Sequence, residues 1–183
     1  MLQLMAGPSW KDRLCIASPP EDYPARLLEG VKGLRVAWSP DLGFAEHVDP
    51  QVLERSHKAA MAFKDLGCSV DEVKLDWGNP MSIVRVLWPA NQAAIVRPYL
   101  KDFAGQLDSG LLACVVEGLG MPAHQFQTAQ AERNQFYFKV SPFFEQYDLL
   151  LTPSVAEPPL KNEELFPAHY AEHPWDWIRW APF

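Results

Sequence analysis

His169 and His173 stand four residues apart with Glu172 beside them. On a helix that spacing puts two imidazoles on one face, as a zinc hydrolase requires. The glutamate is not where an H-E-x-x-H base stands, and Pro167 and Pro174 leave barely two turns of helix, so the pair reads as surface rather than metal site. His47 and His57 read as surface residues, and His124 has no partner in sequence. A nucleophilic serine needs backbone N–H groups aimed at a developing oxyanion. The sequence has no Gly-x-Ser-x-Gly elbow and no Ser-x-x-Lys, and its Ser109-Gly110 pair sits where a helix begins. After the first expected strand, Ser39-Pro-Asp-Leu-Gly43 lacks the glycine pattern of a phosphate loop, so neither a nucleotide nor any other cofactor is expected.

Composition narrows the classes further. Hydrophobic residues make up 48% and charged residues 21%, which suits a globular core rather than disorder. The net charge of −7, with lysines and arginines scattered singly, argues against a nucleic-acid partner. No uncharged run approaches the ~18 residues of a membrane helix, so no membrane partner is expected. Cys15, Cys68 and Cys114 are odd in number and far apart, which implies neither a disulfide framework nor a metal set and fits a reducing cytoplasm. Trp175, Trp177 and Trp180 crowd the last residues, and such a cluster is expected to be covered rather than left in water.

The elements that would position any site follow from periodicity and punctuation. Residues 1–8 read as a helix end stopped by Gly7-Pro8, and a short helix is expected from Asp22 or Tyr23 to Glu29. Leu34 to Trp38 is a short apolar run bounded by Gly33 and Ser39-Pro40, which predicts a buried strand. Asp49-Pro50 is a strong helix start, apolar residues then recur at three- and four-residue steps to Leu66, and Gly67 ends the helix. A second strand is expected near 69–74. Strand, helix and strand make a right-handed βαβ unit with parallel pairing. Residues 81–144 read as helices, interrupted at Pro89 and again at Pro98, and the aromatic stripe from Phe126 to Phe144 reads as core. A third strand is expected at 148–152, beside 34–38. Its successive leucines predict cover on both faces, while the charged 69–74 strand suits an edge. The expected fold is α/β: a parallel βαβ core of strand order 2-1-3 with added helices, residues 1–183 forming one segment of a larger sheet, truncated at both ends.

Several segments together resemble the amidase signature family. They are Gly33-Leu-Arg-Val-Ala-Trp-Ser-Pro-Asp-Leu-Gly43, the Asp49-Pro50 helix ending Phe63-Lys-Asp-Leu-Gly67, Val70-Asp-Glu-Val73, and Tyr147-Asp-Leu-Leu-Leu-Thr-Pro153. Met5-Ala-Gly-Pro8 is similar to the linker after that family's catalytic region, and Trp180-Ala-Pro-Phe183 to the approach to its next segment. The resemblance implies a hydrolase of amide C–N bonds using a Ser–Ser–Lys triad and an acyl-enzyme. The Gly/Ser-rich stretch that bears the triad has no match here, so no catalytic residue is carried over and the chain alone is expected to be inactive. The glutamine-hydrolysing component of a tRNA amidotransferase and an inert binding module stay open as alternatives.

A small-molecule amide, in the full-length protein, is the partner implied, and a homodimer stays open. Ligands of open α/β sheets sit beyond the carboxyl ends of strands, near a switch in strand order. That rule selects Ser39, after the first strand, and Thr152 and Ser154, after the third. Trp88 and Asn91 are expected to wall the acyl side of the same pocket.

Overall fold

The computed structural model describes residues 1–12, 14–16, 21–164, 167, 170 and 175–183, with nothing described of the side chains of 176 and 177. His169 and His173 lie outside the described residues, as does the side chain of Trp177.

Two short helices open the chain, α1 (Leu2–Met5) and α2 (Tyr23–Arg26), the second capped by the Asp22 side chain accepting from the Ala25 N–H. The strand β1 (Arg35–Trp38), the helix α3 (Pro50–Asp65) and the strand β2 (Ser69–Glu72) form the expected βαβ unit, with β1 and β2 parallel. Local chemistry sets both ends of α3. Asp49 Oδ1 accepts from the Gln51 and Val52 N–H groups at 2.8 and 3.4 Å, and Pro50 takes the first turn where its missing N–H costs nothing. At the far end Cys68 N donates to Phe63 O and Gly67 N to Lys64 O, a Schellman closure that needs the left-handed φ of +86° at Gly67.

The helices α4 (Met81–Val96), α5 (Leu100–Phe103), α6 (Ser109–Leu119) and α7 (Ala123–Val140) follow, the first three joined by 3-10 turns, and the strand β3 (Leu149–Leu151) returns to the sheet. The order is β2-β1-β3, all parallel, with Val36 opposite both Val70 and Leu149. Arg35 locks β3 in register. Its backbone N–H and its Nε donate to Asp148 Oδ2 at 2.8 and 3.2 Å, its Nη2 to Asp148 Oδ1 at 2.9 Å, and Asp148 N donates back to the Arg35 carbonyl.

Two apolar clusters result. Val36, Trp38, Cys68 and Val70 pack under Ala60 of α3, with Leu149 and Leu151 at their margin. Cys114, Trp175 and Ile178 pack with Met81, Val84 and Trp88 of α4. The C-terminal tryptophan cluster is therefore covered in part from within the chain: Trp175 is fully buried, and its indole Nε1 donates to Glu117 at 2.9 Å.

Three expectations need correction. The helix α4 runs unbroken through Pro89, because that residue is buried against α6, where Gly118 allows the two helix backbones to touch. Packing there holds a helix that proline alone would interrupt. The aromatic stripe of α7 is mostly not core. Ala129 is its one buried residue among those described, Phe126 and Phe136 are half-buried, and Tyr137 and Phe144 are exposed. Periodicity marks an apolar face but not the element that covers it. The three leucines of β3 are half-buried rather than covered on both faces, since among the described residues β1 is the sole strand partner of β3.

Candidate functional site

The loop leaving β1 is built tightly. Ser39 is fully buried; its N–H donates to Leu151 O at 3.0 Å and its Oγ accepts from the Leu42 N–H at 3.0 Å. Asp41 Oδ1 accepts from the Gly43 N–H at 2.7 Å. Gly43 is required here, with φ of +76° and the Leu75 carbonyl oxygen occupying the place where a Cβ would lie. Phe44, Ala45, Glu46 and His47 follow this turn.

Those four residues form one wall of a cavity of about 470 Å3. Met81, Val84 and Trp88 of α4 form the second wall, and Tyr170 with the tail residues Ile178, Arg179 and Phe183 forms the third. The volume falls within the range of small-molecule sites, roughly 300–1,000 Å3. A smaller space of about 220 Å3 is bordered by Val84, Trp88, Asn91, Arg133 and Phe136. Val84 and Trp88 line both.

The polar groups gather at one rim of the larger cavity. Arg179 Nη2 donates to Glu46 Oε2 at 2.9 Å, and its guanidinium lies 5.2 Å from the centre of the Tyr170 ring. Tyr170 OH donates to the buried Glu157 Oε1 at 3.2 Å, and His47 Nε2 lies 3.5 Å from the same oxygen. Burial first, then the Glu157 carboxylate, pushes the Tyr170 phenol up to about 12. The phenol therefore stays protonated and serves as a hydrogen-bond donor rather than a base. Among the described residues no group of three or more His, Cys, Asp or Glu could hold a metal ion.

The residues selected from sequence divide between these features. Trp88 borders both cavities, and Asn91 is exposed at the smaller one. Ser39 and Thr152 do follow a paired position, Trp38 opposite Leu151, so the carboxyl ends of β1 and β3 meet as the strand order requires. Their hydroxyls, however, serve the backbone: Ser39 Oγ in its turn, and Thr152 Oγ1 donating to Pro153 O at 3.0 Å. Ser154 is exposed, and none of these three lines the larger cavity. Sequence reasoning missed Phe44, Glu46, His47, Tyr170 and Arg179 as lining residues. They come from two regions far apart in sequence, the loop after β1 and the C-terminal tail, and the tryptophan-rich tail is the single signal that the C-terminal residues fold back.

Comparison with known proteins adds the family. No family model matches the chain. An acylamidase of Rhodococcus erythropolis is 32% identical over 190 residues, an alignment covering 100% of this chain. The crystal structure of a bacterial aryl acylamidase of the amidase signature family superimposes with a TM-score of 0.73 over 85% of this chain and 34% of that one, at 19% identity. The chain belongs to the amidase signature family. It spans 40% of the length of the Rhodococcus acylamidase. Another amidase signature relative, a glutamyl-tRNA(Gln) amidotransferase component from Methylococcus capsulatus, is 36% identical over 75 residues, 41% of this chain and 15% of that protein. The β2-β1-β3 sheet and its helices are thus those of an amidase signature enzyme, and no described helix is long and apolar enough to cross a membrane.

Proposed function

We propose that this chain is the pocket-forming part of an amide hydrolase that works through an acyl-serine intermediate, the nucleophile and base lying outside these 183 residues. The observation that carries the reading is the whole-chain relationship to an acylamidase. The triad implied by family resemblance has no counterpart in this sequence, so the 183-residue chain by itself is inactive. Trp88 and Asn91 wall the acyl side of the substrate pocket, a reading supported by Trp88 bordering both cavities and Asn91 the smaller one. Ser39, Thr152 and Ser154 act at the carboxyl ends of β1 and β3, shaping the crevice rather than reacting. The glutaminase component of a tRNA amidotransferase is the second reading, favoured by the 75-residue match, but that match covers less than half of the chain.

The substrate is a small amide, and no nucleic acid takes part. The free cysteines support a cytoplasmic site of action. Exposed Leu2, Leu4 and Leu28 support a homodimer, which sedimentation at monomer mass would refute. The decisive experiment extends the coding sequence upstream, expresses the longer product, and treats it and the 183-residue chain with a fluorophosphonate probe. Labelling of one serine in the longer product, and none in the chain, is expected. An unlabelled longer product overturns the hydrolase reading, and a labelled 183-residue chain overturns its inactivity.

A further inference from the structure

We infer that the slot of about 220 Å3 bordered by α4 and α7 binds a short aliphatic monocarboxylate, with Arg133 reading its charged end. An amide hydrolase releases a carboxylic acid, and the inference goes beyond that reading: it gives such an acid a site of its own, one that needs no catalytic residue. The hydrocarbon of the slot comes from two helices. Ile83, Val84, Leu87 and Trp88 stand at three- and four-residue steps on α4, so they share a face, and Phe136 borders the slot from α7. Ile83 is buried, while Val84, Leu87, Trp88 and Phe136 are half-buried. The space is below the roughly 300–1,000 Å3 of common small-molecule sites, which limits the guest to a short chain.

Arg133 and Asn91 supply the polar lining, and both are exposed, so they stand at the mouth. Arg133 lies one turn before Phe136 on the same face of α7. Among the described residues it is the one charged group bordering the slot, and it makes no hydrogen bond or ion pair with another of them. A guanidinium at the mouth of an apolar slot suits a guest with one hydrocarbon end and one planar anionic end. A carboxylate matches the guanidinium fork, and the Asn91 amide can donate a further hydrogen bond to it.

Neighbouring charges favour a monoanion. Glu132, next to Arg133 in the chain, borders a separate space of about 230 Å3 together with Lys139. A dianion such as phosphate would find a single cation at the slot, with Glu132 close to it. Because Arg133 is exposed, water and salt weaken its attraction for any anion. The hydrocarbon chain therefore supplies most of the affinity, and Arg133 supplies the discrimination between a charged and a neutral end.

The test uses the 183-residue chain labelled with 5-fluorotryptophan, with the Trp88 fluorine resonance assigned through Trp88→Phe. Titrations run at neutral pH and low ionic strength. Pentanoate is expected to move that resonance saturably, and to bind more tightly than pentanamide. From propanoate to pentanoate each added methylene should tighten binding about fourfold, the value of burying one such group. Arg133→Gln should weaken pentanoate about fivefold while leaving pentanamide within about twofold, which removes the preference for the acid without removing the slot. Leu87→Trp fills the slot and should abolish binding of both. Leu87 borders this slot and not the larger cavity, so that variant separates the two spaces that Trp88 touches. Arg133→Gln, a change at an exposed position, keeps the inference testable if Leu87→Trp does not fold. An unmoved resonance, pentanamide binding as tightly as pentanoate, no gain with chain length, a preference unchanged in Arg133→Gln, or binding unchanged in a folded Leu87→Trp overturns the inference. Fluorophosphonate labelling of the longer product is independent of these titrations. A labelled product with no pentanoate binding to the chain sinks the acid site alone, and pentanoate binding without a labelled serine sinks the hydrolase reading alone.

Discussion

Gly118 of α6 lies so close to Pro89 of α4 that a Cβ on Gly118 would collide with the Pro89 carbonyl oxygen and fall 2.8 Å from the Ala93 Cβ. The atoms in the way are largely backbone, so a side chain at 118 must drive the helices apart. Gly118→Ala is expected to destabilise the chain by about 2 kcal/mol net, since overpacking costs about 1–3 and helix propensity returns up to about 1. Urea unfolding measures it. Gly105→Ala, which meets nothing within 4 Å, serves as the control and should stay within about 0.5 kcal/mol of the parent. Equal effects at the two sites would show that the crossing is not tight.

The Arg35–Asp148 clamp makes stability depend on acid pH. The side-chain hydrogen bonds from Arg35, then the one from its backbone, hold the Asp148 carboxyl below the usual aspartate range. A carboxylate depressed in the folded state binds a proton more readily when unfolded. Its contribution is therefore present above the ordinary aspartate pKa and is lost as pH falls through the lower folded value. Asp148→Asn should flatten that part of the acid limb in a stability-versus-pH series. An unchanged limb in the variant would remove Asp148 from the account.

Cys114 should be chemically silent in the folded chain. Burial, and after it the Glu117 carboxylate, pushes its thiol up to about 11. A raised thiol favours folding below its ordinary pKa, and that share is lost as pH climbs toward about 11. At pH 8, iodoacetamide should modify the partly exposed Cys15 and spare Cys114 until denaturant is added. Peptide mapping reads the difference, and modification of both at one rate would contradict the packing of α6 against the tail.

Trp175 is the anchor of that tail. It is fully buried, its indole N–H is bound by Glu117, and the Arg85 guanidinium lies 5.3 Å from its ring centre. Trp175→Ala should cost about 3–5 kcal/mol through the cavity it leaves, and Trp175→Phe about 1–2 through the lost hydrogen bond. Urea midpoints for the two variants check the order. A phenylalanine variant as unstable as the alanine one would mean that the hydrogen bond, not the packing, dominates.

Local chemistry makes the sheet half of this protein legible. Asp49-Pro50 and Gly67 bound α3 because capping and left-handed backbone are properties of single residues. The charges of Asp71 and Glu72 mark β2 as an edge, and the apolar run of β1 marks it as central, since burial of a charge is costly wherever the strand lies. What distant segments bring to one place is not legible in the same way. Pro89 predicts an interrupted helix until Gly118 is known to lie against it. Ser39 and Thr152 stand out for their position beyond the strands, yet their hydroxyls are taken up by neighbouring backbone groups. The aromatic face of α7 reads as core by its spacing alone, but spacing carries no information on which element arrives to cover it. The cavity itself joins the 44–47 loop, Met81, Val84 and Trp88 of α4, and Tyr170 with Ile178, Arg179 and Phe183, and only the folding of the tail onto α4 through Trp175 and Ile178 creates it, because that contact depends on volumes meeting across the chain rather than on any local pattern.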